Sequence, residues 1–479
     1  TSNTGELMII LGTNSIKDTG YDVANSVRMD GSSAYMTRAM GTPTDADKYT
    51  FSFWCKRSKI GTQQSIFRST NGAASNDSHV TFQADDTLRF EEYGGSATVG
   101  KLQTNQLFRD VSAWYHIVLV YDSGNATAGN RMRMYVNGTE VTSFGTDTNP
   151  SQDADSYFNR SGETLSFGRT PYSGGSTYFS GYVAELVMVD GQALTPSSFG
   201  EFDEDSPTIW KPKDVSGLTF GDNGFYLDFE DSGDLGDDES GNGNDFTEYN
   251  LAATDQSTDT CTNNFCTLNP LFPNSGLTFS EGNLNIVASD ANYRHAVSSM
   301  AVQSGKWYAE FKAVSGFSGV DKNVGIYRTD NNYSATTGLG NYTTGTTWCY
   351  GATGNVRTSN GNNDTGEATF TDGDIIAVAM DLDNNKLYFA KNNAWINSGD
   401  PESGATGTGS YAIVAGDFYH FAVTSISSGG AALWSCNFGS PSYANSSDAA
   451  DANGYGAFEY APPSGYLALC SKNLGSDGG

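Results

Sequence analysis

Length, composition and charge narrow the function before any motif is considered. The chain has 479 residues, a net charge of −29 and a calculated pI of about 4.2. A field this acidic repels phosphate backbones and anionic lipid, so the sequence predicts neither nucleic-acid binding nor membrane insertion. The 26 tyrosines, 27 phenylalanines and 56 glycines favour strands joined by tight turns, which predicts an all-β protein.

Strand patterns begin after a short N-terminal arm. Residues 1–24 are predicted to be an anchoring or assembly arm, with one short apolar strand over residues 7–11. Residues 25–205 alternate apolar runs with turns rich in Asn and Gly, at a spacing typical of a β-sandwich. Asn137-Gly138 predicts a hairpin within this domain. The strands predicted here cover residues 49–55, 65–68, 80–82, 87–90, 114–121, 131–136, 164–167 and 178–189.

A second domain with the same pattern follows a predicted connector. Residues 206–275 form this connector, with one strand at 224–230 and an acidic loop rich in Gly and Asn over 231–246. Residues 276–479 form the second sandwich. Its strands are predicted at residues 306–314, 324–327, 348–350, 374–381, 386–391, 418–423 and 432–438. The predicted fold class is therefore all-β, with two antiparallel sandwiches.

Three segments of the first domain carry a resemblance to a known family. They are residues 49–57 (YTFSFWCKR), residues 112–122 with 131–138 (SAWYHIVLVYD and RMRMYVNG), and residues 179–189 (FSGYVAELVMV). Together they resemble the laminin-G-like, concanavalin-type jelly roll. Ala184 stands where the family pattern has Asp. The resemblance implies a lectin-like sandwich.

The second domain resembles a SPRY domain, another concanavalin-like jelly roll. The resemblance rests on residues 305–311 (GKWYAEF), 324–327 (VGIY), 372–392, 434–439 (WSCNFG) and 462–469 (PPSGYLAL). The longest match is DGDIIAVAMDLD at 372–383, continued by KLYFAKN at 386–392. Both predicted sandwiches are thus concanavalin-like, joined by the acidic connector.

The order of the two domains resembles a family of structural proteins from marine phages and prophages. The family resemblance implies a virion surface component, made in the host cytoplasm, with no established reaction. The first expectation is a tail-fibre or appendage adhesin that binds host-surface glycan or protein. The alternatives are a capsid decoration or head-fibre protein and, less favoured, a polysaccharide depolymerase. Expected partners are other virion subunits and further copies of the chain in a symmetric homo-oligomer, for example a trimer.

Concanavalin-like folds include glucanases, so a pair of catalytic carboxylates in this sequence would indicate an enzyme. A retaining glycosidase needs two carboxylates about 5 Å apart on one face. Glu91 and Glu92 are adjacent and so point to opposite faces of a strand, while Glu185 and Glu310 each stand alone. Asp381 and Asp383 have suitable spacing but lie at a predicted turn. The histidines, His79, His116, His295 and His420, match no hydrolase or zinc motif. The sequence therefore predicts a protein that is not an enzyme.

The acidic connector loop is the best candidate for a cofactor. Calcium takes six to eight oxygen ligands. Asp237, Asp238, Asn242 and Asp245 supply such oxygens within nine residues of chain and are the predicted calcium ligands. The alternative is that these residues only shape an Asn- and Gly-rich turn, and that residues 225–246 complete a sandwich.

Aromatic residues in polar loops are the candidate ligand-binding residues, because sugar rings stack on them. They are Tyr172, Tyr178, Tyr333, Tyr342 and Trp395. Trp395 follows a predicted hairpin and has core packing as its alternative role. The sequence leaves open whether Cys261 and Cys266, which are close enough to pair, form a disulfide.

Overall fold

The chain divides after Thr262 into two compact units. The computed structural model of the protein describes residues 20–72, 76–171, 177–272, 276–319, 322–330, 337–340, 346–358, 362–427 and 430–477. We call residues 20–262 the N-terminal unit and residues 263–477 the C-terminal unit. In these ranges no helix is long and apolar enough to cross a membrane.

The strands of the N-terminal unit form two facing sheets and a small ribbon. They are β1 (Ser26–Asp30), β2 (Tyr35–Ala39), β3 (Lys48–Arg57), β4 (Gln64–Thr70), β5 (Asp77–Phe82), β6 (Thr87–Gly94), β7 (Ala97–Leu107), β8 (Trp114–Asp122), β9 (Met132–Val136), β10 (Thr139–Glu140), β11 (Phe144–Thr148), β12 (Thr164–Phe167), β13 (Ser180–Asp190), β14 (Gly200–Phe202), β15 (Trp210–Pro212), β16 (Phe225–Leu227), β17 (Thr247–Tyr249) and β18 (Gln256–Ser257). Single 3-10 turns lie at Ala128–Asn130, Pro196–Ser198 and Ala253–Asp255.

We call these two sheets sheet I and sheet II. Sheet I has the order β10-β9-β8-β3-β13-β1-β18, with β16 also paired to β13. Sheet II has the order β11-β7-β6-β5-β4-β12-β2-β17, and β14 and β15 form the separate ribbon. Alternation along β3 shows how the sequence builds the sandwich, because Phe51, Phe53 and Cys55 point into the core between the sheets.

The outer face of sheet I is also covered by the chain. Phe199, Val215 and Phe220 pack on Val118 and Val187, which point away from the central core. Residues 206–262 therefore lie within the N-terminal unit, through the pairing of β16, β17 and β18 as well as this covering layer. This differs from the predicted connector over 206–275, because apolar residues of that segment bury the outward side of sheet I.

The ends of the predicted arm and connector fall in different units. Residues 1–19 lie outside the described residues, including the strand predicted at 7–11. Beyond them, the Val23 amide donates to the Thr262 hydroxyl at 3.1 Å, so residues 20–24 belong to the N-terminal unit. Residues 263–272 belong to the C-terminal unit, where Phe265 bridges to Cys470.

The C-terminal unit is a second antiparallel sandwich. Its strands are β19 (Leu277–Ser280), β20 (Asn285–Ala288), β21 (Arg294–Val297), β22 (Lys306–Ser315), β23 (Asn323–Arg328), β24 (Thr347–Gly351), β25 (Asn355–Thr358), β26 (Asn362–Thr365), β27 (Ile375–Asp381), β28 (Lys386–Lys391), β29 (Ala394–Trp395), β30 (Tyr411–Ala412), β31 (Tyr419–Ser425), β32 (Leu433–Asn437) and β33 (Leu467–Ala468). Helix α1 spans Ser471–Asp477, and 3-10 turns lie at Glu281–Asn283, Ile396–Ser398 and Pro401–Thr406.

Its two sheets, which we call sheet III and sheet IV, enclose an aromatic core. Sheet III has the order β19-β20-β32-β22-β27-β28-β29, with β30 on β28 and β33 parallel to β22. Sheet IV has the order β21-β31-β23-β24-β25-β26. Phe458 and Tyr466 cover the outer face of sheet III over Tyr308 and Tyr388. The predicted all-β class of two antiparallel sandwiches is confirmed.

Candidate functional site

Three side chains form a continuous stack across neighbouring strands of sheet II. Tyr35 of β2 lies opposite Tyr249 of β17, with ring centroids 4.4 Å apart and planes inclined by 8°. On its other side, the Arg169 guanidinium lies 3.4 Å from the Tyr35 ring centroid. Neighbouring strands lie about 4.8 Å apart, so the sheet itself sets the spacing of this stack. We call Arg169, Tyr35 and Tyr249 the tyrosine stack.

The tyrosine stack stands on the solvent side of sheet II. Met36, next to Tyr35, points into the core, so alternation turns Tyr35 outward. Both faces of Tyr35 are occupied, by Arg169 and by Tyr249. Tyr249 is 41% exposed and lies on β17, the last strand of the sheet. One face of its ring is therefore open at the sheet edge, where a ligand ring can stack.

Tyr178 flanks the tyrosine stack. Its ring centroid lies 6.5 Å from that of Tyr35, and its backbone bridges to Arg169 across a hairpin. The structure thus brings one of the predicted aromatic residues together with two tyrosines that the sequence analysis missed. Tyr35 and Tyr249 each occupy an outward position of a short strand, β2 and β17. No sequence motif marks either strand, so the pattern alone did not reveal the pair. Tyr172 lies outside the described residues.

Tyr333 and Tyr342 lie outside the described residues. The other described residue of the predicted aromatic set is Trp395. It lines a shallow cleft of about 390 Å³ together with Gly399, Asp400, Pro401, Glu402 and residues 461–463. The edge of its ring also packs on Tyr388, with centroids 6.4 Å apart. Trp395 therefore combines partial core packing with a wall of the cleft.

A second cleft in the C-terminal unit contains no residue of the predicted set. It holds about 490 Å³ and is lined by Lys312, Asn392, Asn445, Ser446, Glu459 and Tyr460, with Gly373, Ile375 and Ala444. A charged, amide and hydroxyl lining with one tyrosine suits a polar ligand. Its residues come from distant parts of the chain, so sequence spacing does not reveal it.

Buried Glu310 positions one wall of that second cleft. It accepts hydrogen bonds from the backbone amides of Glu459 at 2.9 Å and Tyr460 at 2.8 Å. The Tyr308 hydroxyl also donates to it at 3.1 Å. Burial raises the pKa of Glu310 to about 7, although these hydrogen bonds lower it. The carboxylate thus anchors the segment that covers sheet III and is not available to a ligand.

Two other buried glutamates, Glu92 and Glu185, are likewise occupied by internal hydrogen bonds. Glu92 lies in the core of the N-terminal unit and accepts from the hydroxyls of Tyr49 and Ser156 at 3.0 and 2.7 Å. Glu185 accepts from the hydroxyls of Tyr226 and Tyr21 at 3.0 and 3.3 Å. Burial raises the pKa of Glu92 to about 7 and that of Glu185 to about 8. None of these carboxylates faces another across an open cleft.

Asp381 and Asp383 hold the hairpin between β27 and β28. Asp381 accepts from the backbone and side-chain amides of Asn384 at 3.0 and 2.9 Å, and it pairs with Lys306 at 3.3 Å. Asp383 accepts from the Gly305 amide at 2.8 Å. The predicted turn role of this pair therefore accounts for both side chains.

The histidines serve structural contacts. His116 is buried between Ser52 and Trp210, and burial lowers its pKa to about 3. His79 lies on the outward face of sheet II, 3.2 Å from both Asp77 and Glu91. Burial lowers the pKa of His79, but the two carboxylates outweigh that effect and raise it. His79 is therefore held by ionic contacts with Asp77 and Glu91 and is not an isolated base.

The acidic loop of residues 237–245 is tied together by its own hydrogen bonds. Asp238 accepts from the amides of Tyr226 and Ser240 on one oxygen, and from the Ser240 hydroxyl and the Asn244 amide on the other. Asp245 accepts from the Asp238 amide at 3.2 Å.

Asn242 donates to the carbonyls of Gly221 and Gly224. Burial and the charge of Asp245 raise the pKa of Asp237.

These contacts bear on the predicted calcium site. Four donors occupy the oxygens of Asp238, so few lone pairs are left for an ion that needs six to eight oxygens. Within the described ranges, no cluster of three or more His, Cys, Asp or Glu side chains could hold a metal. The residues fit a hydrogen-bonded turn better than a calcium site, and calcium binding stays a prediction. Among the described residues, Cys261 and Cys266 are thiols and not members of a disulfide.

Comparison with known proteins gives a family match for part of the chain. Residues 30–198 match the Laminin_G_3 model, described as the concanavalin A-like lectin/glucanases superfamily. The resemblance found in the first domain is thereby confirmed for the N-terminal unit. No curated protein matches the chain.

Several solved structures are similar to parts of the chain. The SPRY domain of human HERC1 is 19% identical, covering 32% of this chain and 87% of that one, with a TM-score of 0.25. The heptameric SAP-like pentraxin from Limulus polyphemus is 19% identical, covering 36% and 80%, with a TM-score of 0.28. A human SPRY domain is 14% identical, covering 34% and 94%, with a TM-score of 0.26.

Proposed function

We propose that this protein is a non-catalytic binding protein on the surface of a bacteriophage virion, where it attaches to glycan or protein on the host cell. The observation that carries the binding proposal is the tyrosine stack, which ends at the exposed ring of Tyr249. The concanavalin A-like lectin match over residues 30–198 supports it. The phage assignment rests on the order of the two domains in the sequence.

The tyrosine stack suits a sugar better than a wholly apolar ligand. An aromatic face packs against the C–H side of a sugar ring, while nearby polar groups bond its hydroxyls. Thr37 and Thr247, outward neighbours of Tyr35 and Tyr249 two residues along each strand, supply hydroxyls beside the rings. The site therefore offers one open ring face bordered by hydrogen-bonding groups, which is the chemistry of sugar recognition.

The buried glutamates argue against the depolymerase alternative. A glycosidase needs an acid and a second carboxylate on either side of an accessible bond. Glu92, Glu185 and Glu310 are each buried and hydrogen-bonded to the protein itself. Incubation of the protein with bacterial surface polysaccharide should therefore release no sugar. The appearance of new reducing ends would instead support the depolymerase alternative.

A glycan array with the full-length protein tests the binding proposal. We expect at least one class of host-surface glycan to bind, and Tyr249→Ala to weaken that binding by about tenfold, which corresponds to about 1.4 kcal/mol. The matched control is Phe418→Ala in the C-terminal unit, where the ring is 40% exposed, compared with 41% for Tyr249. An array with no bound glycan, or equal binding by wild type and Tyr249→Ala, would overturn the proposal.

The location on the particle separates the adhesin from the decoration protein. Phage labelled with an antibody against residues 276–475 would be imaged, and adsorption to host cells measured with and without the antibody. Label at the tail tip with blocked adsorption would support the adhesin. Label spread over the head with unchanged adsorption would contradict the adhesin proposal and support a decoration protein. Light scattering of the purified protein would give the number of copies in the proposed homo-oligomer.

A further inference from the structure

The charged group of Arg169 contacts an aromatic ring of the protein. Its guanidinium rests on the Tyr35 ring, and its Nε is buried without a hydrogen bond. Among the described residues it forms no ion pair, although the chain carries 55 acidic and 26 basic residues. Two buried arginines are paired with carboxylates, Arg28 with Asp255 and Arg57 with Asp86, each at 3.3 Å, whereas buried Arg38 donates to the Asn223 carbonyl.

The guanidinium at one end of the stack indicates what chemical group a ligand of the stack carries. A guanidinium has five N–H donors and no acceptor, and leaving buried donors unsatisfied is costly. Carboxylate and sulfate groups match its fork of donors and form strong, charge-assisted hydrogen bonds with it. We infer that the tyrosine stack binds an acidic oligosaccharide, with Arg169 holding its carboxylate or sulfate. This inference rests on the proposed glycan binding and names the class of glycan.

The arrangement of the stack sets a minimum length for this ligand. Tyr35 separates Arg169 from Tyr249, so one sugar ring on the open face of Tyr249 does not reach the guanidinium. The ligand is therefore at least a disaccharide, with one residue on Tyr249 and an acidic residue at Arg169. Tyr178, paired with Arg169 across the hairpin, flanks the acidic residue.

The net charge of −29 comes largely from carboxylates that are remote from Arg169, and salt screens their repulsion of a bound anion. At physiological ionic strength the screening length is about 8 Å, so remote carboxylates act weakly on a bound group that touches Arg169. Glu248, the acidic neighbour of Tyr249, lies at the alternate position of β17 and points to the opposite face of the sheet. The Asp30 carboxylate accepts from the Ala34 amide next to Tyr35 and is held by the turn of residues 32–34, whereas the guanidinium lies directly on the Tyr35 ring.

Matched glycans test the inference with the full-length protein. The probes are one acidic oligosaccharide and its neutral counterpart, made by reducing the carboxyl group or removing the sulfate. We expect the wild type to bind the acidic form at least tenfold more tightly. Arg169→Gln should remove this preference, and Arg169→Lys should restore part of it.

The control is Arg160→Gln, because Arg160 lies over the Tyr157 ring at 5.3 Å but is exposed to solvent. Equal binding of the two glycans by the wild type, with Tyr249→Ala still weakening it, would overturn the acidic ligand and leave glycan binding standing. Absence of any bound glycan would overturn both. The wild-type comparison needs no variant, so a misfolded Arg169→Gln protein leaves the inference testable.

Discussion

The carboxylate of Glu310 accepts a hydrogen bond from the backbone amide of Tyr460 at 2.8 Å. Glu310 lies on the outer side of sheet III, and Tyr460 lies in the segment that covers this sheet. A backbone amide keeps its donor whatever the side chain, so the contact fixes the path of the covering segment and with it one wall of the second cleft.

Stability should fall as the pH rises from about 4.5 towards 7 to 8. Burial raises the pKa of Glu310 from 4.5 to about 7 and that of Glu185 to about 8. A carboxyl with a raised pKa contributes its full stabilisation below its unfolded pKa of 4.5 and loses it as the pH rises through 7 to 8, because the charged form must then be buried. Thermal unfolding should therefore show a Tm several degrees higher at about pH 5 than at about pH 8.5.

Glu310→Gln supplies the variant for this pH profile. Glutamine has no charge to bury, so the fall in Tm between about pH 5 and neutral pH should become shallower. Exposed Glu140→Gln is the control and should leave the profile as in the wild type. A Tm that stays constant or rises across this range would contradict the expectation.

The N-terminal unit should fold only when its segment beyond residue 205 is present. Lys56 and Asp259 form a buried ion pair at 2.7 Å, and β16 pairs with β13. A fragment of residues 20–262 keeps both contacts, whereas one of residues 20–205 removes the Asp259 carboxylate from buried Lys56 and exposes the outer face of sheet I. We expect cooperative thermal unfolding and resistance to limited proteolysis for the longer fragment alone. Equal stability of the two fragments would place the boundary at 205.

Trp395 should contribute to stability as well as to its cleft. Its ring edge packs on Tyr388, so Trp395→Ala leaves a gap in the layer outside sheet III. We expect a loss of about 2 kcal/mol in urea unfolding, with Trp395→Phe keeping most of it. An unchanged unfolding midpoint for Trp395→Ala would assign the ring to ligand binding alone.

Asp238 should stabilise the acidic loop without calcium. Removing its four accepted hydrogen bonds in Asp238→Ala should cost about 2 to 3 kcal/mol, whether or not calcium is added. For the wild type, a chelator should leave the Tm unchanged. A Tm that falls with chelator and recovers with calcium would establish the predicted ion.

Local patterns in the sequence explain which elements were predictable. The hairpin of β27 and β28 combines alternating apolar residues with the Asp383–Asn385 turn, and it is confirmed. The Asn137-Gly138 turn is also confirmed, with φ of 48° and 76°. In contrast β7, with its eleven mostly polar residues, was missed because one face of sheet II is open to solvent and gives it little apolar alternation.

The tyrosine stack depends on contacts that no local pattern contains. Tyr35 and Tyr249 meet only because β17 returns to pair with β2 after most of the N-terminal unit has been completed. Among the described residues Arg169 forms no ion pair, and this too depends on the fold, because the fold decides which side chains lie near the guanidinium. Tyr178 was predictable because it stands in a polar loop next to a strong strand.

The two sheets of the N-terminal unit are constrained unequally. Side chains on both faces of sheet I are packed against other parts of the chain, so a change on either face disturbs an interior. Sheet II has an interior on one face only, and residues such as Thr37, Thr164 and Arg89 stand on the other. Ligand preference can therefore diversify among related proteins by substitutions on sheet II while sheet I preserves the framework.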